Sequence, residues 1–259
     1  MSEYIKLTSE LKKKANPAKA KILQGFFKTK PGEYGAGDIF LGITVPEIRK
    51  IANHFSKLSL LDIQKLLSSK IHEYRLIALE ILVIQYERTD DLQTKKKIVQ
   101  AYIKNRKSIN NWDLVDLSAP YILGDWFREK NKALLYRWAG SKNIWEKRIA
   151  IITTFEFIKH GQFTDTLKIS KLLLNDKHDL IQKAVGWMLR EVGKKSLKTE
   201  KEFLDIHYKR MPRTMLRYAI ERMSKKDKAH YMKKVQSKRP PFGSHDLGSK
   251  KEVFLRSSR

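Results

Sequence analysis

The chain has 259 residues, 41% of them hydrophobic and 10% aromatic, which is long enough to bury a core and too apolar for a disordered chain. Lys and Arg number 54 against 28 Asp and Glu, a net charge of +26, so the favoured partner is a polyanion: DNA, RNA or an anionic membrane surface. With no cysteine, disulfides, thiolate zinc sites and a cysteine nucleophile are excluded, and no apolar run approaches the roughly 20 residues of a bilayer span.

The first residues, MSEYIKLTSELKKKANP, lack the uninterrupted apolar core of a secretory signal, so a cytoplasmic protein is expected. Tyr4–Ala15 reads as a helix. A second starts at Asn16-Pro17, with Asn as the cap and Pro at the first helical position. The glycine-rich segment 28–43 is too long for a simple helix link. Gly32, Gly35 and Gly37 fit no phosphate-loop spacing, so a surface loop is expected that packs over the first repeats or touches a backbone phosphate, with Lys28 as a candidate contact.

From Pro46 onward the pattern is helical, with apolar residues three and four apart, as in Ile77, Leu79, Ile81, Leu82 and Ile84. Pairs are predicted at 46–54 with 59–69, 72–87 with 92–106, 111–128 with 131–139, 143–160 with 164–175, and 178–194 with 199–211. A run over 212–223 is followed by one over 226–236. Short connections carry Asn, Asp, Ser and Gly at the caps. Residues 1–236 are therefore expected to form a single all-α domain. Segment 237–259, with Pro-Pro, serines and no helical period, reads as a solvated basic tail.

Five of these segments align on Arg75, Trp112, Arg148, Lys183 and Arg217, at intervals of 37, 36, 35 and 34 residues. A period of this length marks stacked helix pairs, in which equivalent positions line one surface. Asp116 follows Trp112 by one helical turn, and Trp187 stands in the same relation to Lys183. Stacking should therefore gather Trp112, Asp116, Arg148 and Trp187 in one concave basic groove. Leu114 and Val115 should point into the core. Asp113, in the first turn after Asn111, is expected to complement the helix dipole. Gly186, beside Trp187, makes sense where another backbone comes close, and Trp126, Trp138 and Trp145 are assigned to the core.

Two indole faces can hold a cationic ring or a deoxyribose. A carboxylate among them can stabilise positive charge developing at a sugar carbon and orient a water. A guanidinium can fix the flanking phosphate. Alternatively, Arg148 and Asp116 form a structural ion pair between repeats. A lone carboxylate suffices only if the leaving base is already positively charged, because no proton need then be supplied.

At Trp112-Asp113-Leu114-Val115-Asp116, at Asn143-Ile144-Trp145 through Arg148, and at Ile181 through Glu191, the sequence resembles the AlkD-type DNA alkylation-repair glycosylases. Phe40-Leu41-Gly42-Ile43 with Pro46 and Arg49, and Leu123-Gly124-Asp125, also look like family segments, and the resemblance spans about residues 16–225. It implies a right-handed solenoid of HEAT-like antiparallel helix pairs. It also implies hydrolytic release of N3- and N7-alkylated purines from double-stranded DNA by a monofunctional glycosylase, without flipping the lesion into a deep pocket.

The resemblance assigns Asp116 to the oxocarbenium-like sugar and the attacking water. Trp112 and Trp187 would hold the lesion nucleotide, and Arg148 the nearby phosphate. Lys183, Arg190, Arg75, Arg217 and Lys28 are further candidate DNA contacts. Phe26 stands where some relatives have tyrosine, so a hydroxyl contact is lost there. No cofactor, metal or membrane is expected, since the histidines show no ligand spacing, and a monomer is expected. The competing readings are a noncatalytic helical-repeat module that binds nucleic-acid backbone or branched DNA, and a protein scaffold.

Overall fold

The computed structural model of the protein describes residues 1–233; the last positions of the expected helix 226–236 and the whole expected tail 237–259 lie outside them. The described residues are all-α. They contain no strand, only an isolated parallel bridge between Ile39 and Ile71.

Capping chemistry sets the helix starts. Helix α1 (Glu3–Lys13) opens on Ser2, and α2 (Pro17–Phe26) on Asn16, whose side chain accepts from the Lys19 amide. A reciprocal Thr44–Glu47 capping box starts α3 (Val45–His54), and Ser59 caps α4 (Leu60–Leu67). Next come α5 (His72–Glu87) and α6 (Leu92–Lys104), the latter capped by Asp91. Asn111 caps α7 (Trp112–Asp116), which is followed by α8 (Asp125–Arg128) and α9 (Ala133–Ala139). Then follow α10 (Ile144–Lys159), α11 (Thr164–Leu172), α12 (Asp179–Lys195), α13 (Leu197–His207), α14 (Arg213–Ala219) and α15 (Lys225–Met232).

The expected continuous helix 111–128 is broken. Pro120 offers no amide and crowds the preceding turn, so the chain relaxes through a π-type turn over Pro120–Gly124 between α7 and α8.

The helices pack in an order that follows the chain. One layer runs α3 on α5, α5 on α7 and the π-turn, these on α10, α10 on α12, and α12 on α14. The alternate helices flank it: α4 and α6 beside α5, α9 and α11 beside α10, α13 beside α12. Because α5 and α10 are covered on several sides, their apolar residues are not confined to one stripe: Leu76 through Ile81 and Ile149 through Ile152 are largely inside. Trp138 and Trp145 join the core as expected, whereas Trp126 is only half-buried, with the Lys130 ammonium 3.9 Å above its ring.

Two features fix the layer that carries the site. At Gly186 a Cβ would run into the Met215 carbonyl and the Tyr218 side chain, so glycine is what lets α14 lie against α12. Segment 28–43 is strapped to α5 by the Ile39 bridge and by Glu73. That buried carboxylate accepts from three successive backbone amides, Leu41 (2.9 Å), Gly42 (2.8 Å) and Ile43 (3.3 Å).

Glu200 on α13 is buried at 2% exposure, and burial raises its carboxyl to about 8 against the pull of Arg190 and Lys201. A carboxyl raised in the folded state stabilises the fold fully only below its unfolded value, and that contribution disappears as pH climbs towards 8. Glu200→Gln should therefore melt several degrees above the parent at pH 9, with the difference shrinking towards pH 5. Equal shifts at both pH values in thermal denaturation would contradict this.

Candidate active site

Trp112 and Asp116 stand at the two ends of α7, Arg148 lies in the second turn of α10, and Trp187 is in the middle of α12. All four line one cavity of about 420 Å³. Its remaining wall comes from the 28–43 segment (Lys28, Tyr34), the end of α2 (Phe26), α12 (Asp179, Leu180, Lys183, Arg190) and α14 (Tyr218). The repeat spacing thus brings together the residues it singled out, and Leu114 and Val115 face the core.

The centre of the cavity is an ion pair. Arg148 donates from Nε to Asp116 Oδ1 at 2.9 Å and from Nη2 to Oδ2 at 2.7 Å, while its Nη1 donates to the Leu180 carbonyl at 2.7 Å. One guanidinium therefore ties α7, α10 and the start of α12 together. Of the two readings open for Arg148, a contact to a flanking phosphate and an ion pair between repeats, the second is the one present. Its three nitrogens are engaged inside the protein and it is only 5% exposed, so the ion pair between repeats is what the structure contains.

Burial pushes the Asp116 carboxyl above its ordinary value, and the charge and hydrogen bonds of Arg148 oppose that shift. Both Asp116 oxygens accept from a cation, a geometry that suits the ionised form. Each oxygen retains a second lone pair for a water or a sugar.

The indoles are held from behind. Trp112 stacks on Phe27, with ring centroids 5.2 Å apart and planes at 15°, and meets the edge of Phe26 at 5.9 Å. Trp187 lies 5.9 Å from Phe155 and donates from Nε1 to Glu191 at 3.0 Å. Phe26 is 63% exposed and carries no hydroxyl. It also borders a neighbouring, almost wholly apolar cavity of about 380 Å³ beneath α2.

The candidate cations divide. Lys28, Lys183 and Arg190 line the cavity. Lys183 is paired one turn back with Asp179 at 2.8 Å, and Arg190 with Glu221. Such partly exposed pairs exchange readily for another anion. Arg217 is exposed on α14 but does not line the cavity. Arg75 is a correction. Although it stands at the repeat position, it is 3% exposed and bonded through Nη2 to Asp38 (2.7 Å) and through Nη1 to the Ser69 carbonyl (2.8 Å), so it braces the 28–43 segment instead of facing the groove.

Asp113 stands in the first turn of α7 as expected and has a second, unanticipated partner. It is buried and bound to His72 Nε2 at 2.7 Å, besides accepting from the Leu114 amide. Tyr34, Asp179 and Tyr218 were not anticipated. Tyr34 sits in a segment without periodicity, and Tyr218 reaches the cavity only because Gly186 admits α14. Burial raises the Tyr34 phenol, opposed by the neighbouring Trp112 indole. Burial works to raise Asp179 too, yet the hydrogen bond and charge of Lys183 outweigh it and hold that carboxyl below its ordinary value. Among the described residues no group of His, Cys, Asp and Glu could hold a metal ion, and no helix is long and apolar enough to cross a membrane.

Packed helices that line one cavity with a caged carboxylate, two indoles and several cations define an all-helical protein with a polar cleft between its helices. The family model described as DNA alkylation repair enzyme matches residues 7–223, and the chain belongs to that family. No curated protein matches it. Among solved structures its fold is similar to a "Predicted DNA alkylation repair enzyme from Enterococcus faecalis", with 18% identity, a TM-score of 0.65, and coverage of 82% of this chain and 98% of that one.

Proposed function

We propose that the protein is a monofunctional DNA glycosylase that hydrolyses the N-glycosidic bond of positively charged N3- and N7-alkylated purines in duplex DNA. The observation that carries this reading is the caged Asp116, in a cavity whose only other carboxylate among the described residues, Asp179, is held ionised by Lys183. Neither acid is placed to hand a proton to a leaving base. A glycosidic bond broken here by Asp116 and water is therefore favoured when the leaving base is already cationic.

Asp116 would lie against the deoxyribose, offset the positive charge that grows at C1′ and orient a water there. The water oxygen bonds to C1′ as the C1′–N bond breaks. The electron pair of that bond neutralises the ring, and the water's proton passes to Asp116 and on to solvent. The products are a neutral alkylated base and an abasic sugar. Trp112 and Trp187 would present electron-rich faces to the cationic nucleotide. Arg148 acts through Asp116, as the group that holds it.

Incubation with methylated duplex DNA, with the released bases separated and quantified, is the test. Release of N3-methyladenine or N7-methylguanine with abasic sites left behind is expected. Release no faster than the spontaneous rate would defeat this reading in favour of a noncatalytic module that binds nucleic acid or serves as a scaffold.

The cavity cations make a separate prediction. Lys183→Ala should weaken binding to modified and unmodified duplex alike and lower the slope of log affinity against log salt by about one. An unchanged slope would remove Lys183 from the DNA contact.

A further inference from the structure

The densest cluster of buried charge lies outside the cavity, directly behind α7. His72, at the start of α5, is 1% exposed. Its Nε2 bonds to Asp113 at 2.7 Å and its Nδ1 to Asp38 at 3.2 Å, and Asp38 is also held by Arg75. The ring therefore bridges the 28–43 segment to the first turn of α7, one turn before Asp116. The same imidazole stacks on Phe40 (4.4 Å, 20°), Phe40 on Phe27 (5.0 Å, 22°), and Phe27 on Trp112 (5.2 Å, 15°). A column of four rings thus runs from His72 to the indole that lines the cavity.

We propose that His72 is a positioning residue of the cavity: through Asp113 and the column of Phe40 and Phe27 it sets the placement of Trp112 and Asp116, and its positive charge cancels that of Asp113 beneath Asp116. This rests on the glycosylase reading above only for its effect on turnover.

The charge balance has definite members. His72 meets Asp113 from α7, Asp38 from the 28–43 segment, and Arg75 on its own helix; Glu73 turns away to the backbone amides of residues 41–43. Burial disfavours its charged form, but the charge of Asp113 and the bonds to both carboxylates prevail and raise the ring to about 9, so it is an imidazolium at neutral pH. Asp116 meets Arg148 from α10, Asp113 on its own helix, and, across the cavity, Lys28 of the 28–43 segment and Asp179, Lys183 and Arg190 of α12. Asp113 lies one turn behind and raises the Asp116 carboxyl by repulsion. A neutral residue at position 72 would leave that repulsion uncompensated.

The experiment is a titration of the Asp116 carboxyl carbon by NMR in the full chain, which needs no turnover. His72→Gln keeps hydrogen-bonding capacity and loses the charge. It should move the Asp116 midpoint upward by about one pH unit, the effect of one like charge a helical turn away. Adding Asp113→Asn should bring the midpoint back to the parent value or below it. A purely structural histidine would show no such reversal, and an unmoved midpoint in His72→Gln, or no reversal, overturns the proposal.

Should His72→Gln fail to fold, the parent protein supplies the readout. The His72 ring nitrogens must both stay protonated from pH 5 to 8, and a neutral ring in that window overturns the proposal. In base-release assays His72→Gln should lower kcat roughly ten- to a hundredfold, as a small misplacement of reacting groups does, with DNA affinity kept. A parent protein that releases no base would defeat the glycosylase reading and leave the NMR result to decide the role of His72.

Discussion

Asp116→Asn is expected to slow release of methylated purines by roughly 10²–10³-fold, the loss that follows removal of one preorganised electrostatic group from a site. The substitution preserves shape and the amide oxygen can still accept from Arg148, but the guanidinium, 5% exposed, loses its counter-charge, so the melting temperature should fall while the variant still folds. On the proposed reading duplex affinity should not fall, because a negative charge has been taken from a cavity that would face phosphates. The signature is thus a variant that binds and does not turn over. Loss of affinity in step with rate would show that Asp116 holds the fold of the cavity and does not act on the sugar. Equal rates for variant and parent would end the glycosylase assignment.

The second large effect is that of Arg148→Met. It leaves a carboxylate that is 15% exposed without the two bonds that compensate it. Stranding one partner of a buried pair costs about 3–5 kcal/mol, so a marked fall in thermal stability is expected. The activity of the surviving folded protein should also change its pH dependence in a definite direction. In the proposed reaction turnover requires ionised Asp116, and would therefore fall as pH drops through that carboxyl's midpoint. Burial already raises the midpoint and Arg148 lowers it. Without Arg148 the acid limb of the rate profile moves to higher pH, by one unit or more on the scale that a lost ion-pair partner produces.

The double variant Arg148→Met with Asp116→Asn should recover part of the lost stability, since neither position then carries a buried charge without its partner. A double variant less stable than Arg148→Met would contradict the account. Neither variant should reduce duplex affinity through a missing phosphate contact, because Arg148 makes its bonds within the protein.

Much of this architecture was legible in the chain. Helix starts at Asn16 and Asn111 follow from short polar side chains placed one residue before the helix, and the structure uses each as a cap. The interval of 34 to 37 residues was enough to bring Trp112, Asp116, Arg148 and Trp187 to one cavity, because stacked repeats convert equal register into a shared face.

What register does not reveal is a partner far away in the chain. Arg75 has the right position, yet Asp38 from an aperiodic segment captures it. Asp113 looked like a residue suited to a helix dipole, yet His72, 41 positions earlier, claims it. The break at Pro120 was written in the sequence, but the apolar period runs across it. Tyr34 and Tyr218 reach the cavity through contacts that no local pattern encodes.

The strap of segment 28–43 onto α5 has a consequence for motion. The amides of Ile39, Leu41, Gly42 and Ile43 are bonded to α5, through Glu73, or to the Lys70 carbonyl just ahead of it. Although this stretch belongs to no helix, those protons should trade with deuterium as slowly as helical ones, because releasing them means uncovering a buried carboxylate. The end of the segment next to α5 is consequently expected to act as a fixed jamb, and a ligand held beside it would have to fit its shape instead of pushing it aside.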